Sequence, residues 1–124
     1  MSKANRYETG FKTDARNAGF IVRPAKLIEC KEPVEDRYGE LNKTATTPDC
    51  ILIDPQTGRQ MHVEITSGSG ESPHKEAQKR VIEAAGVHNY CVVKGDHVKE
   101  LHEKPDKATK RAFLLALFGW LLMI

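Results

Sequence analysis

The sequence predicts an α/β fold, with a central mixed sheet of about four strands flanked by helices. Two observations carry that expectation. Short β-branched runs at Cys50-Ile-Leu-Ile53, Met61-His-Val-Glu-Ile65 and Tyr90-Cys-Val-Val93 have the composition of strands. Around them lie stretches whose apolar residues recur at helical spacing: Tyr7, Phe11, Ala15 and Ala18 in one, Ala77, Val81, Ala84 and Ala85 in the other. With 124 residues the chain has room for a single core and is too short to divide into two.

Intervals of four, four and three place the first stripe on one face of a helix that Gly19 is positioned to close. Phe20 to Val22 reads as a short strand, ended by Pro24 because proline cannot donate to a sheet ladder. From Lys26 to Thr47 no period is visible, and Pro33, Gly39 and Asn42 interrupt the run, so a long polar loop is expected. The two central runs are joined by Asp54-Pro-Gln-Thr-Gly58, a turn sequence, and therefore form a β-hairpin. Ser72-Pro73 supplies an N-cap and a first-turn proline for the next helix, and Gly86 ends it. Tyr90 to Val93 is a further strand, after which Asp96 is expected to cap a short helix through Leu101.

After Pro105 and a Lys-rich turn, Phe113 to Ile124 is apolar on every face. Such a helix must be buried somewhere. A bilayer span needs about 20 apolar residues, and this run is shorter, so packing on the domain or across a homodimer is expected ahead of contact with a membrane surface. Residues 1–104 thus read as the folded domain and residues 105–124 as an appended apolar helix forming a dimer interface.

Charge restricts the function classes only loosely. Lys and Arg number 19 against 17 Asp and Glu, and the net charge of +2 neither demands nor excludes a polyanionic partner. The basic residues gather at the start, where residues 1–26 hold six against two acidic ones, while residues 27–48 hold three against five. Cys30, Cys50 and Cys91 are odd in number and lack CxxC or Cys/His ligand spacing, which argues against a disulfide framework and a zinc site and fits a reducing cytoplasm. No apolar run follows Met1-Ser2-Lys3, so no secretory signal is expected and the chain reads as mature from its first residue.

Strand alternation sends His62, Glu64 and Thr66 to one face while Val63 and Ile65 point to the other. Asp49 opens the preceding strand just after Pro48, and the hairpin lets its carboxylate approach that of Glu64. Two adjacent carboxylates repel unless a cation joins them. Mg²⁺ or Mn²⁺ would satisfy such a pair, with the carbonyl of Ile65 as the natural third ligand and water completing the shell. His62 shares the face of Glu64 but reads first as a satisfied sheet histidine, and the other histidines show no ligand spacing with carboxylates.

The ordered set Pro48-Asp49, Glu64-Ile-Thr66, Ser72 to Gln78 and Gly86 before a strand resembles the PD-(D/E)XK nuclease superfamily over residues 7–94, in particular its virus-type replication-repair nuclease branch. Glu8 matches the upstream glutamate of that pattern, Gln78-Lys79 its helical glutamine motif, and Gly86-Val-His-Asn-Tyr-Cys-Val-Val93 its closing strand. Gly19-Phe-Ile-Val-Arg23 is similar to the opening of archaeal-type Holliday junction resolvases, which share the core. The resemblance implies a restriction-endonuclease-like core and a catalytic set of Glu8, Asp49, Glu64, Thr66, Gln78 and Lys79. It implies Mg²⁺ or Mn²⁺ held by Asp49, Glu64 and Ile65, and hydrolysis of phosphodiester bonds in branched DNA by a homodimer in the cytoplasm. It would make the stretch 26–47 a DNA-facing flap. Gly68-Ser-Gly70 would be either a phosphate contact at a helix N-terminus or a plain loop.

One position departs from the pattern. The family motif ends in a lysine, and this chain has Thr66 there. Threonine can hydrogen-bond a water but supplies no positive charge. Either Lys75 or Lys79 on the following helix takes over that charge, or the fold serves as a catalytically impaired DNA- or protein-binding module of phage origin.

Overall fold

The computed structural model describes residues 3–34, 43–67 and 73–120. The elements are α1 (Lys3–Asn17), β1 (Ile21–Arg23), β2 (Ile28–Val34), β3 (Lys43–Thr46), β4 (Cys50–Ile53), β5 (Gln60–Ile65), α2 (Pro73–Ala84), β6 (Tyr90–Val93), α3 (Gly95–Glu103) and α4 (Lys107–Leu117). Four strands form one mixed sheet in the order β1-β4-β5-β6. β4 is antiparallel to both β1 and β5, and β5 is parallel to β6, with α2 as the crossover between them. The expected α/β class and the expected hairpin are both present.

Alternation along the strands sorts the side chains. Cys50, Leu52, Met61, Val63, Ile65 and Val93 form one apolar core with Phe11, Ala15 and Ala18 of the α1 end, Val98 and Leu101 of α3, and Leu114 and Leu115 of α4. Ala77, Val81 and Ile82 of α2 are also buried, and α2 packs chiefly on β2 and β3.

Four expectations need correction. The stretch from Lys26 to Thr47 is not a loop throughout, because β2 and β3 pair antiparallel as a two-stranded ribbon. In β2 only Ile28, Cys30 and Val34 are half-covered, and Glu29, Lys31, Glu32 and Pro33 face solvent, so no apolar period announces the strand. Residues 35–42 lie outside the described residues. β1 begins at Ile21, because the Phe20 N–H is engaged by the Ala15 carbonyl at 3.1 Å in the motif that closes α1.

α3 starts at Gly95 with Lys94 as its cap, which leaves Asp96 inside the first turn. A Cβ on Gly95 would come 2.8 Å from the Ser67 carbonyl oxygen and 3.5 Å from Tyr7 Cε1, so α3 abuts the end of β5 where only glycine fits. The C-terminal helix is capped by Asp106, which accepts the Thr109 N–H at 2.8 Å, and it stops at Leu117 instead of running on to Ile124. Gly119 adopts φ 76°, its N–H donates to the Ala116 carbonyl at 3.1 Å, and the Trp120 N–H reaches back to Leu115 at 2.8 Å. This turn folds Phe118 and Trp120 into the same core, their ring centroids 5.2 Å apart. Phe113 and Leu117 pack at its rim, and residues 121–124 lie outside the described residues. Among the described residues no helix is long and apolar enough to cross a membrane.

Two ionic joints tie α4 into the fold. Arg111 forks onto Asp54 at 3.1 and 2.9 Å, bonds Gln56 Oε1 at 3.1 Å, and lies 5.4 Å over the Phe20 ring. Burial alone would raise the Asp54 carboxyl, but the Arg111 fork, the Gln56 N–H and the Thr57 hydroxyl outweigh it and hold the group below its usual range. Lys110, 8% exposed, donates to the Leu101 and His102 carbonyls at 3.0 and 3.1 Å and faces Asp14 of α1 at 3.5 Å.

Candidate functional site

The hairpin register brings the two expected carboxylates together. Cys50 faces Val63, so the residue before the one stands beside the residue after the other, Asp49 beside Glu64. Asp49 Oδ2 accepts the Ile65 N–H at 2.6 Å, which fixes the side chain across the end of β5. Glu64 is only 4% exposed, and its Oε2 accepts a hydrogen bond from Lys75 Nζ at 2.9 Å. Burial, then the hydrogen bond shared with Glu64, pushes the Asp49 carboxyl up to about 6, against the opposing pull of the Ile65 N–H and the Lys75 charge. The Lys75 ammonium, joined below about pH 6 by a proton on Asp49, thus supplies positive charge to the two adjacent carboxylates.

On β6, Tyr90 pairs with His62 and Val92 with Glu64, so Tyr90 lies on the face that bears the carboxylates. Burial, then the charges of Glu64 and Asp49, push its phenol up and keep it protonated. No family model, curated protein or solved structure matches this chain. The site is therefore read from its own chemistry.

His62 Nδ1 lies 3.1 Å from the Asn89 carbonyl, the satisfied sheet histidine that was one of its two readings. Glu8 sits on α1 with its carboxylate held by Lys12 at 2.8 Å. Burial pushes the Cys50 thiol, which faces α1 in the core, up to about 12, with the charges of Lys12, Asp49, Glu8 and Arg16 as smaller influences. Gln78, 9% exposed, comes one turn after Lys75 on α2, and its Oε1 is buried without a hydrogen-bond partner among the described residues. Lys79 is turned away, 62% exposed and 4.0 Å from Glu83. Thr66 follows β5, is half-buried, and donates its N–H to the Val93 carbonyl at 2.9 Å. Gly68 to Gly70 and Ser72 lie outside the described residues.

Among the described residues no three His, Cys, Asp or Glu side chains converge to hold a metal ion. The donors on offer are the Asp49 and Glu64 carboxylates, whose charge the Lys75 ammonium partly offsets. Hard oxygen donors of that kind suit Mg²⁺ or Mn²⁺, which would take the place of the proton and of the ammonium, so the pair fits such an ion. Sequence reasoning passed over Tyr90 because its run reads as plain strand. The signal lies in counting two residues back from Val92, which is possible only once β6 is known to pair in parallel with β5.

Proposed function

We propose that the chain is a metal-dependent nuclease of the PD-(D/E)XK type that hydrolyses phosphodiester bonds in DNA, with Asp49 and Glu64 holding Mg²⁺ or Mn²⁺. The observation that supports it is a pair of adjacent carboxylates across β4 and β5 with the Lys75 ammonium 2.9 Å from Glu64. A divalent ion bound there would supply a Lewis acid and an activated water. Lys75, whose side chain is 24% exposed on a flexible stem, replaces the missing motif lysine and meets the charge of the scissile phosphate. The Ile65 N–H orients Asp49, and the Thr66 hydroxyl and Gln78 Oε1 offer hydrogen bonds to a water.

Calorimetry tests the metal site. Asp49→Ala and Glu64→Ala should each weaken Mn²⁺ binding at least about tenfold, or ~1.4 kcal/mol, and abolish cleavage. Parental Mn²⁺ affinity should rise with pH up to about 6, where the Asp49 proton is lost, and level off above it. Unchanged affinity in both variants would show the site to be misplaced.

Branched DNA, cut by a homodimer, is the substrate we assign. Phe113 and Leu117, at the rim of the core, and the exposed Ala116 are the described apolar side chains of the C-terminal run left for a second copy. Light scattering at micromolar concentration should give twice the chain mass, and a monomer would remove the dimer from the proposal. The second reading is a catalytically silent DNA-binding module of phage origin, favoured by Thr66 at the lysine position. Incubating junction and linear DNA with Mn²⁺ separates the two, since only the nuclease produces cleaved strands.

A further inference from the structure

We propose that the sheet face bearing the carboxylate pair is a docking surface for one DNA strand, which crosses it along the row Arg23, Ile51, His62 and Tyr90. This rests on the nuclease reading and extends it from the metal to the substrate. The register sets Arg23 opposite Ile51, Ile51 opposite His62 and His62 opposite Tyr90, across all four strands of the sheet. Their side chains share the face of Glu64, and at about 4.8 Å per strand the row spans about 14 Å. α1, α3 and α4 cover the other face, while on this one α2 reaches Glu64 through Lys75. On this one Arg23 is exposed, Ile51, His62 and Tyr90 are half-exposed, and the neighbouring Ile21 is 37% exposed.

Two features identify the occupant. The first is chemistry: the row offers a guanidinium, an imidazole and a phenol, with the apolar Ile51 between them. A polynucleotide strand alternates anionic phosphates with apolar sugars and bases, and matches that sequence of groups. The phenol is a donor, since burial and the two carboxylates keep it protonated. His62 Nδ1 donates to the Asn89 carbonyl, which leaves Nε2 as an acceptor for a base N–H of the strand. The second feature is continuity. His62 and Tyr90 each stand two residues before the pair Glu64 and Val92, so a strand on the row has a phosphate within one step of the carboxylates.

Fluorescence anisotropy with a labelled single-stranded oligonucleotide, in chelator so that no metal bridges the two, reads this surface directly. Arg23→Gln and Tyr90→Phe should each weaken binding at least about fivefold, and Arg23→Gln should also lower the salt slope by about 0.7, one phosphate contact on a single strand. Tyr90→Phe should leave that slope unchanged. Lys99→Gln, on the exposed side of α3, should bind as the parent does. Melting curves establish that each variant is folded. Parental binding by both Arg23→Gln and Tyr90→Phe overturns the docking surface, even where Asp49-dependent cleavage is intact. Weakened binding by both, in a chain that never cleaves, sinks the nuclease reading and leaves the surface standing.

Discussion

Lys75→Met is expected to cut DNA cleavage by about 10²–10³-fold while leaving Mn²⁺ bound as tightly as before, or more so. The two directions follow from one distance, the 2.9 Å between Lys75 Nζ and Glu64 Oε2. Two cations cannot share that carboxylate oxygen comfortably, because a divalent ion and an ammonium about 4 Å apart near a protein surface repel by about 8 kcal/mol. On the proposed mechanism, removing the ammonium would remove a competitor for the metal and, at the same time, the charge that would face the phosphate. Lys79→Met should alter neither quantity, since Lys79 is 62% exposed and directed at Glu83. Thr66→Lys, placed in the Lys75→Met background, should recover cleavage at least about tenfold, a gain of ~1.4 kcal/mol, by returning the charge from the strand side. If Lys79→Met is the variant that stops cleavage, or if Lys75→Met cleaves at the parental rate, the assignment of Lys75 is wrong.

Arg111→Met should cost about 3–5 kcal/mol of stability, because it strands the fully buried Asp54 carboxylate without its counter-charge. In a domain of this size the melting temperature should fall by at least about 10 °C. The pH dependence has a definite sign. In the parent, Asp54 is held below its usual range, so its contribution is present above the unfolded value of about 3.9 and is lost as pH falls through the folded value. In the variant the same carboxyl, buried and unpaired, rises above the unfolded value and takes up a proton. The deficit relative to the parent should therefore shrink as pH is lowered from about 7 towards 4. Denaturant unfolding at several pH values measures it, and a deficit that stays constant over that range would mean that packing over Phe20, not charge, is what Arg111 contributes.

The juxtaposition of Asp49 and Glu64 was legible from the sequence because a hairpin is self-indexing. Asp54 to Gly58 marks the turn, which brings the ends of the two strands together; the register is one residue off a count outward from that turn, because Asp54 itself pairs with Arg59, and Cys50 opposite Val63 then puts Asp49 beside Glu64. α1 and α2 were legible from their apolar spacing and closing glycines. The β2–β3 ribbon was not, since a strand covered on only a few of its residues has no need of alternation, and Glu29, Lys31 and Glu32 mask what little there is. The joints at α4 were invisible for another reason. Asp54 and Arg111 are 57 positions apart, and nothing local marks a turn aspartate as the partner of a distant helix. Lys75 and Lys79 both looked eligible for the missing lysine because they sit one turn apart, and only the placement of α2 against Glu64 separates them.

The closure of the core by both ends of the chain also bears on how the protein is made. Phe11, Ala15 and Ala18 are buried against a core that Leu114, Leu115, Phe118 and Trp120 complete, and Asp14 awaits Lys110. A nascent polypeptide emerging from the ribosome at about 5–20 residues per second has its first helix ready long before the last one exists. Until that helix emerges, the apolar face of α1 has no final partner, and a prematurely terminated product lacking residues 107–124 would present that face to chaperones and proteases.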